Sequence, residues 1–173
     1  MSYARRPDAN QAAIAYKDTT MNPTTLALDA SSTTIGWVIY DGTVLDHGEV
    51  QLRGSDIADR CRQAHAALGL ILANYPDIDV IALESPVGRF PKAVIPQARV
   101  SGALLATAAL KCLHVVEVTP TQAKKALTGN GAASKEIMQV AARLCGVAGE
   151  HASDALGVAL AAVGMVSVVE VAA

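Results

Sequence analysis

Four residues stand where their chemistry has few structural uses. Asp29 closes the apolar run TTLALD, and Glu84 follows the apolar run VIAL. His151 and Asp154 are spaced i, i+3 in EHASDALG, among small neighbours. Charge at the end of an apolar strand is costly unless a cation or a hydrogen-bonding partner meets it. An i, i+3 pair lies on one face of a helix. Three carboxylates brought together without a cation would repel one another and raise their own pKa values. With a cation they would hold a hard divalent ion such as Mg²⁺ or Mn²⁺. Two such ions can generate a hydroxide nucleophile and stabilise a leaving alkoxide, which is the chemistry of phosphodiester hydrolysis. The imidazole would either ligate an ion or position the attacking water; the residues leave both open.

The elements that must position them follow from local pattern. Thr24–Asp29 is a short apolar strand bounded by Pro23 and Ala-Ser-Ser. Thr34–Tyr40 is rich in β-formers, and Asp41-Gly42 signals a two-residue hairpin into a third strand, Thr43–Leu52. Ser55 or Asp56 caps a helix to about Asn74, with Ile57, Cys61, Ala64, Leu68, Ile71 and Leu72 on one face. Val80–Leu83 is a continuous apolar strand, expected parallel to the first and buried on both faces. Ser85–Pro96 is expected as a loop, with Pro86, Gly88, Pro91 and Pro96. A helix over about Gln97–Cys112 then carries the small residues Ser101, Gly102, Ala103, Ala106 and Ala109. Val115–Val118 makes a fifth strand. Helices follow from Pro120 to about Leu127, from Ser134 to Cys145, and over about Ala152–Met165. The expected architecture is α/β, a mixed five-stranded sheet (three antiparallel strands, then two parallel) flanked by helices. Functional residues in such sheets gather beyond strand carboxyl ends. One domain is expected over 24–173, preceded by a flexible tail at 1–23.

Composition narrows the class. The 173 residues are 51% hydrophobic and 17% charged, which excludes a disordered chain. Aromatics are 3%, so the core must be aliphatic. The longest apolar candidate, Ala155–Val169, falls short of the roughly 18–20 residues of a membrane span and begins beside Asp154. The N-terminus has no apolar core of signal-peptide type, so no membrane partner and a cytoplasmic location are expected. Cys61, Cys112 and Cys145 lack zinc-ligand spacing and are expected as buried thiols in a reducing compartment. The net charge of −2 hides an asymmetry. Between Pro86 and Arg143 stand eight basic residues (Arg89, Lys92, Arg99, Lys111, Lys124, Lys125, Lys135 and Arg143) against Glu117 and Glu136, and eight minus two is +6. Such a stretch points to a polyanionic partner.

Several stretches resemble one family. LALDASSTTIGWVIYDG is similar to a first-strand motif in which an Asp is followed seven residues on by Gly, here Asp29 and Gly36. IALESP resembles a second acidic motif, and PQARVSGAL a helix opening Gln-Ala-Arg-Gly. VTPTQAKKALTGNGAASKE resembles a run of Pro, Lys, a Gly-x-Gly turn, Ala and Lys; HASDALGVALAA resembles a closing acid-or-His and Asp-Ala-Leu motif. These are the motifs of the RuvC-type Holliday-junction resolvases of the ribonuclease H superfamily, and the resemblance runs in order from about Thr24 to Ala162. It implies a ribonuclease H-like fold with Asp29, Glu84, His151 and Asp154 as metal and catalytic residues. It implies two Mg²⁺ ions per site, with Mn²⁺ substituting, and cleavage leaving a 5′-phosphate and a 3′-hydroxyl. Lys124 and Lys135 would contact phosphates near the scissile strand, Lys135 within the catalytic set. Arg89, Lys92 and Lys125 join them from the basic stretch as expected DNA contacts. A homodimer through the helix at about Gln97–Lys111 would place two active sites on a roughly two-fold four-way junction for paired cuts.

The pattern also departs from the family's. Asp-Ala-Ser-Ser stands where cellular members have Asp-Pro-Gly, and the loop after Glu84 is shorter. Val87 takes the place of a base-stacking aromatic, for which Phe90 is the expected substitute. The divergence and the N-terminal extension point to a phage or prophage member. Competing readings are a branched-DNA nuclease of broader fork or flap specificity, and a non-catalytic junction-binding protein. An ATP-binding domain of the actin and sugar-kinase superfamily shares a phosphate loop resembling DASSTTIG, but the chain is short for its two lobes.

Overall fold

Alternation along the first strand decides how everything else packs. A computed structural model describes residues 23–88 and 90–171. In β1 (Thr25–Ala30) every residue is buried. Leu26, Leu28 and Ala30 face one side of the sheet, and Ala27 faces the other. β2 (Thr34–Tyr40) and β3 (Val44–Gln51) continue antiparallel from it, while β4 (Val80–Glu84) and β5 (His114–Val118) run parallel. The strand order is β3-β2-β1-β4-β5, a ribonuclease H-like mixed sheet. As expected for a central strand, β4 is buried from Val80 to Leu83.

The two sides of the sheet are filled differently. One side packs Leu26, Leu28, Ile35, Ile39, Ile81 and Leu83 under α1 (Ile57–Asn74) and α2 (Pro91–Leu110). Asp56 caps α1 through the Ala58 amide, and Ala64, Leu68 and Ile71 form its buried stripe. The other side packs Ala27, Ala82, Val38 and Val118 under α3 (Pro120–Thr128), α4 (Lys135–Leu144) and α5 (Glu150–Val171). There α5 presents Ala152, Ala155, Leu156, Val158, Ala159 and Ala162.

Four expectations change. The hairpin after β2 has three connecting residues rather than two, because Tyr40 pairs with Val44 and the register shifts at Ile39/Tyr40. The Asp41 carboxylate accepts from the Thr43 amide and hydroxyl, closing the turn from its own side chain. α2 begins at Pro91, six residues before the expected Gln97, because Pro91 suits a first turn and Pro96 is absorbed inside at the loss of one helical bond. The cysteines are free, but only Cys61 is half-buried; Cys112 and Cys145 lie in exposed turns after α2 and α4, where chain reversal faces solvent. Finally, α2 is long and apolar enough to cross a membrane by length and composition alone, a property expected of no segment. Lys92 and Arg99 had concealed it by breaking the apolar run. Here one side of α2 buries Val100, Leu104 and Ala108, leaving Ile95, Leu105 and Leu110 exposed. Residues 1–22 of the expected tail, and Arg89, lie outside the described residues.

Candidate active site

Period-two alternation turns Asp29 to the same side of the sheet as Ala27, and Glu84 to the side of Ala82. That is the alanine-filled side under α5. Leu28 pairs with Leu83 in the parallel ladder, so Asp29 and Glu84 are the next residues on adjacent strands. Asp29 is 7% exposed and Glu84 is half-buried.

The helix half of the site arrives by close approach. Asp29 pairs with Gly36 on β2, and Gly36 pairs with Glu49 on β3, making one row across three strands. A Cβ on Gly36 would lie 2.1 Å from the His151 carbonyl carbon and 2.6 Å from the Ala152 nitrogen. The absent side chain is therefore what lets the first turn of α5 rest on the sheet. From there His151 Nδ1 reaches Asp29 Oδ2 at 2.7 Å. Asp154, one turn on, is half-buried on the same helix face.

Burial and like charge act together on the acids of the site. Burial, then Asp29 and Asp154, push Glu84 up to about 8, against the pull of Lys124 and His151. Burial, then the negative charge of Asp29, push Asp154 up to about 6, opposed by Lys135 and His151. The hydrogen bond to Asp29 raises His151, favouring imidazolium. Lys135, the first residue of α4, bonds the Glu150 carboxylate; this raises the lysine and lowers the glutamate. Among the described residues, no three His, Cys, Asp or Glu side chains are arranged to hold an ion as they stand. His151 instead hydrogen-bonds Asp29 through Nδ1. Yet two carboxyls lifted towards neutrality by burial and by neighbouring carboxylates form a donor set that a hard divalent cation would relieve. The residues fit such an ion.

Of the other expected site residues, Lys124 is half-buried and acts on Glu84 through space. Lys125 does not join them. It lines a shallow groove with Gln122, Ala126, Leu160 and Gly164, more than a turn of α5 beyond Asp154. Lys92 is exposed in the first turn of α2. Val87 and Phe90 are both exposed in the segment after Glu84, Phe90 at 76%. Sequence reasoning missed Glu150, the partner of Lys135, although it adjoins His151. It also missed Glu49, whose Oε1 accepts from the His151 and Ala152 amides at 2.8 and 3.2 Å. The available signal was Gly149: α5 has no Ser, Thr, Asp or Asn at its start, so an acceptor had to come from elsewhere.

A family model described as crossover junction endodeoxyribonuclease RuvC matches residues 26–162, enclosing all four residues of the site. The chain belongs to the RuvC family. It is 31% identical over 150 residues to the crossover junction endodeoxyribonuclease RuvC of Oleidesulfovibrio alaskensis, covering 83% of this chain and 90% of that one. It is 32% identical over 146 residues to the RuvC of Erythrobacter litoralis, covering 79% and 90%. A Thermus thermophilus RuvC structure superimposes with a TM-score of 0.69 at 22% identity, covering 83% of this chain and 96% of that one. T. thermophilus RuvC in complex with Holliday junction substrate superimposes at 0.68 with 24% identity, covering 80% and 92%. Both structures share the RuvC fold with this chain.

Proposed function

We propose that this protein is a metal-dependent endonuclease that resolves four-way DNA junctions. The observation that carries the reading is the meeting of Asp29, Glu84, His151 and Asp154 at one end of the sheet, with Glu84 and Asp154 raised by burial and by the charge of Asp29. Asp29, Glu84 and Asp154 would hold two Mg²⁺ ions, for which Mn²⁺ would substitute. Bound there, the ions would supply a hydroxide from water and stabilise the leaving 3′-alkoxide, yielding a 5′-phosphate and a 3′-hydroxyl.

The chain's own residues supply the rest. His151 orients Asp29 through Nδ1; with the ring neutral and its proton on Nδ1, Nε2 is the nitrogen left to face an ion or the attacking water. Lys135 stands at the mouth, where releasing Glu150 frees its ammonium for a phosphate oxygen. Lys124 offers a second cation beside Glu84. Phe90, exposed at the head of α2, supplies a ring for stacking on an unpaired base. The exposed side of α2, with Ile95, Gly102, Leu105 and Ala109, is the face through which two copies would pair. Ser101, another of the helix's small residues, is buried inward instead. Two sites on a two-fold axis suit paired cuts in a junction of the same symmetry.

An end-labelled mobile four-way junction incubated with the protein and Mg²⁺ tests the reading. Paired symmetric nicks are expected, and Asp154→Asn should bind the junction without cutting it. Absence of cutting in Mg²⁺ and Mn²⁺, or full cutting by Asp154→Asn, overturns it.

A further inference from the structure

The start of α5 is held from outside the helix. The first amides of an α-helix lack partners within it and need acceptors. Gly149, just before Glu150, has no side chain to offer. The acceptor is the Glu49 carboxylate, more than a hundred positions away on edge strand β3, at 2.8 Å from the His151 nitrogen and 3.2 Å from that of Ala152. Two residues earlier on β3, His47 Nε2 accepts from the Ala148 amide at 3.3 Å. Gly149 is itself part of the fit. Its φ is +108°, and a Cβ there would stand 2.6 Å from Glu49 Oε1.

Glu49 lies in the same cross-strand row as Gly36 and Asp29. Paired residues in a row project to one side of the sheet. The first turn of α5 therefore sits over the gap at Gly36, between two carboxylates. Asp29 takes the imidazole of His151, and Glu49 takes its backbone amide. One residue is thus fixed at both ends, which sets where Asp154 falls one turn later.

We propose that Glu49 is a positioning residue: by accepting the His151 and Ala152 amides it fixes the height and rotation of α5 over Gly36, and so the placement of His151 and Asp154 against Asp29. The role rests on the nuclease reading of the site, but the clamp can be measured without cleavage. An acceptor is what the geometry needs, so Glu49→Gln should keep the clamp and Glu49→Ala should lose it.

Amide hydrogen exchange at His151 and Ala152 reads the clamp directly. Exchange faster by about tenfold or more in Glu49→Ala, with Glu49→Gln close to wild type, is expected. Unchanged exchange in Glu49→Ala overturns the proposal. Single-turnover junction cleavage reads the consequence. Glu49→Ala should cut about tenfold or more slowly with junction affinity unchanged, because sub-ångström displacement of the site suffices for such a loss. Glu49→Gln should recover most of the rate. A Glu49→Ala rate within about twofold of wild type overturns the positioning role. Should Glu49→Ala fail to fold, Glu49→Gln and Glu49→Lys make the comparison: the lysine has no acceptor, so equal rates in these two overturn the proposal as well. Wild-type protein that cuts nothing refutes the nuclease reading, and exchange still decides the clamp.

Discussion

The two sides of the central sheet use different residues for different ends. Under α1 and α2 the sheet presents leucines and isoleucines, a thick layer that buries much apolar area. Under α5 it presents Ala27, Ala82 and Gly36, and the helix answers with Ala152, Ala155 and Ala159. Small residues bury less, but they bring the helix backbone within contact distance of the strands. Every carboxylate of the candidate site is on the thin side, because only there can a helix side chain reach a strand end. The thick side stabilises; the thin side positions.

A larger side chain at Gly36 would thicken the thin side at one point. Gly36→Val would thrust side-chain carbons into the His151 backbone, since even a Cβ at Gly36 would lie 2.1 Å from the His151 carbonyl carbon. Junction cleavage should fall by about a hundredfold or more, since the helix must lift away from Asp29. A single-turnover assay checks this, and a Gly36→Val enzyme with ordinary rate would dissolve the distinction.

The converse change thins the thick side. Leu68 is 1% exposed on α1. Leu68→Ala should cost about 2–5 kcal/mol in urea unfolding while the folded protein still cleaves, because the cavity lies on the far side of the sheet. Loss of cleavage under conditions where the variant is folded would contradict that separation.

The acids of the thin side make stability depend on pH. Glu84 is raised from 4.5 to about 8, and Asp154 from 3.8 to about 6. The folded state therefore binds protons that the unfolded state has released. The contribution is fully present below the unfolded values and is lost as pH rises through the folded ones. Metal-free protein should lose stability between about pH 4.5 and 8, Glu84→Gln should flatten most of that slope, and Mg²⁺ should restore stability at the alkaline end. Thermal melts across pH with a chelator and with Mg²⁺ would measure it; a flat metal-free profile would count against the crowded site.

The smallest expected contrast is between neighbouring lysines. Lys124→Ala should slow cleavage and reduce the salt dependence of junction binding by about one phosphate contact. Lys125→Ala, on the α3–α5 groove, should change neither. Equal effects would return Lys125 to the DNA face.

How much of this was legible beforehand follows from the range of the forces involved. Asp29 and Glu84 could be placed at strand ends, and His151 with Asp154 on one helix face, because periods of 2 and 3.6 are local properties of the chain. The order of the elements likewise led to the mixed sheet. Chain-local signals misled where context won: Pro96 did not delay α2, and the Asp41 side chain lengthened the hairpin by one residue. The longer hairpin and the register shift at Ile39/Tyr40 together set which β3 residue stands opposite Gly36, so Glu49 was out of reach. Composition and local period alone picked out the candidate acids and histidine and the elements that bear them. How α5 meets the sheet came from long-range packing: over Gly36, between Asp29 and Glu49, with Lys135 held by Glu150. Those contacts join residues far apart in the chain, and their geometry depends on strand register and helix height, which no short stretch encodes alone.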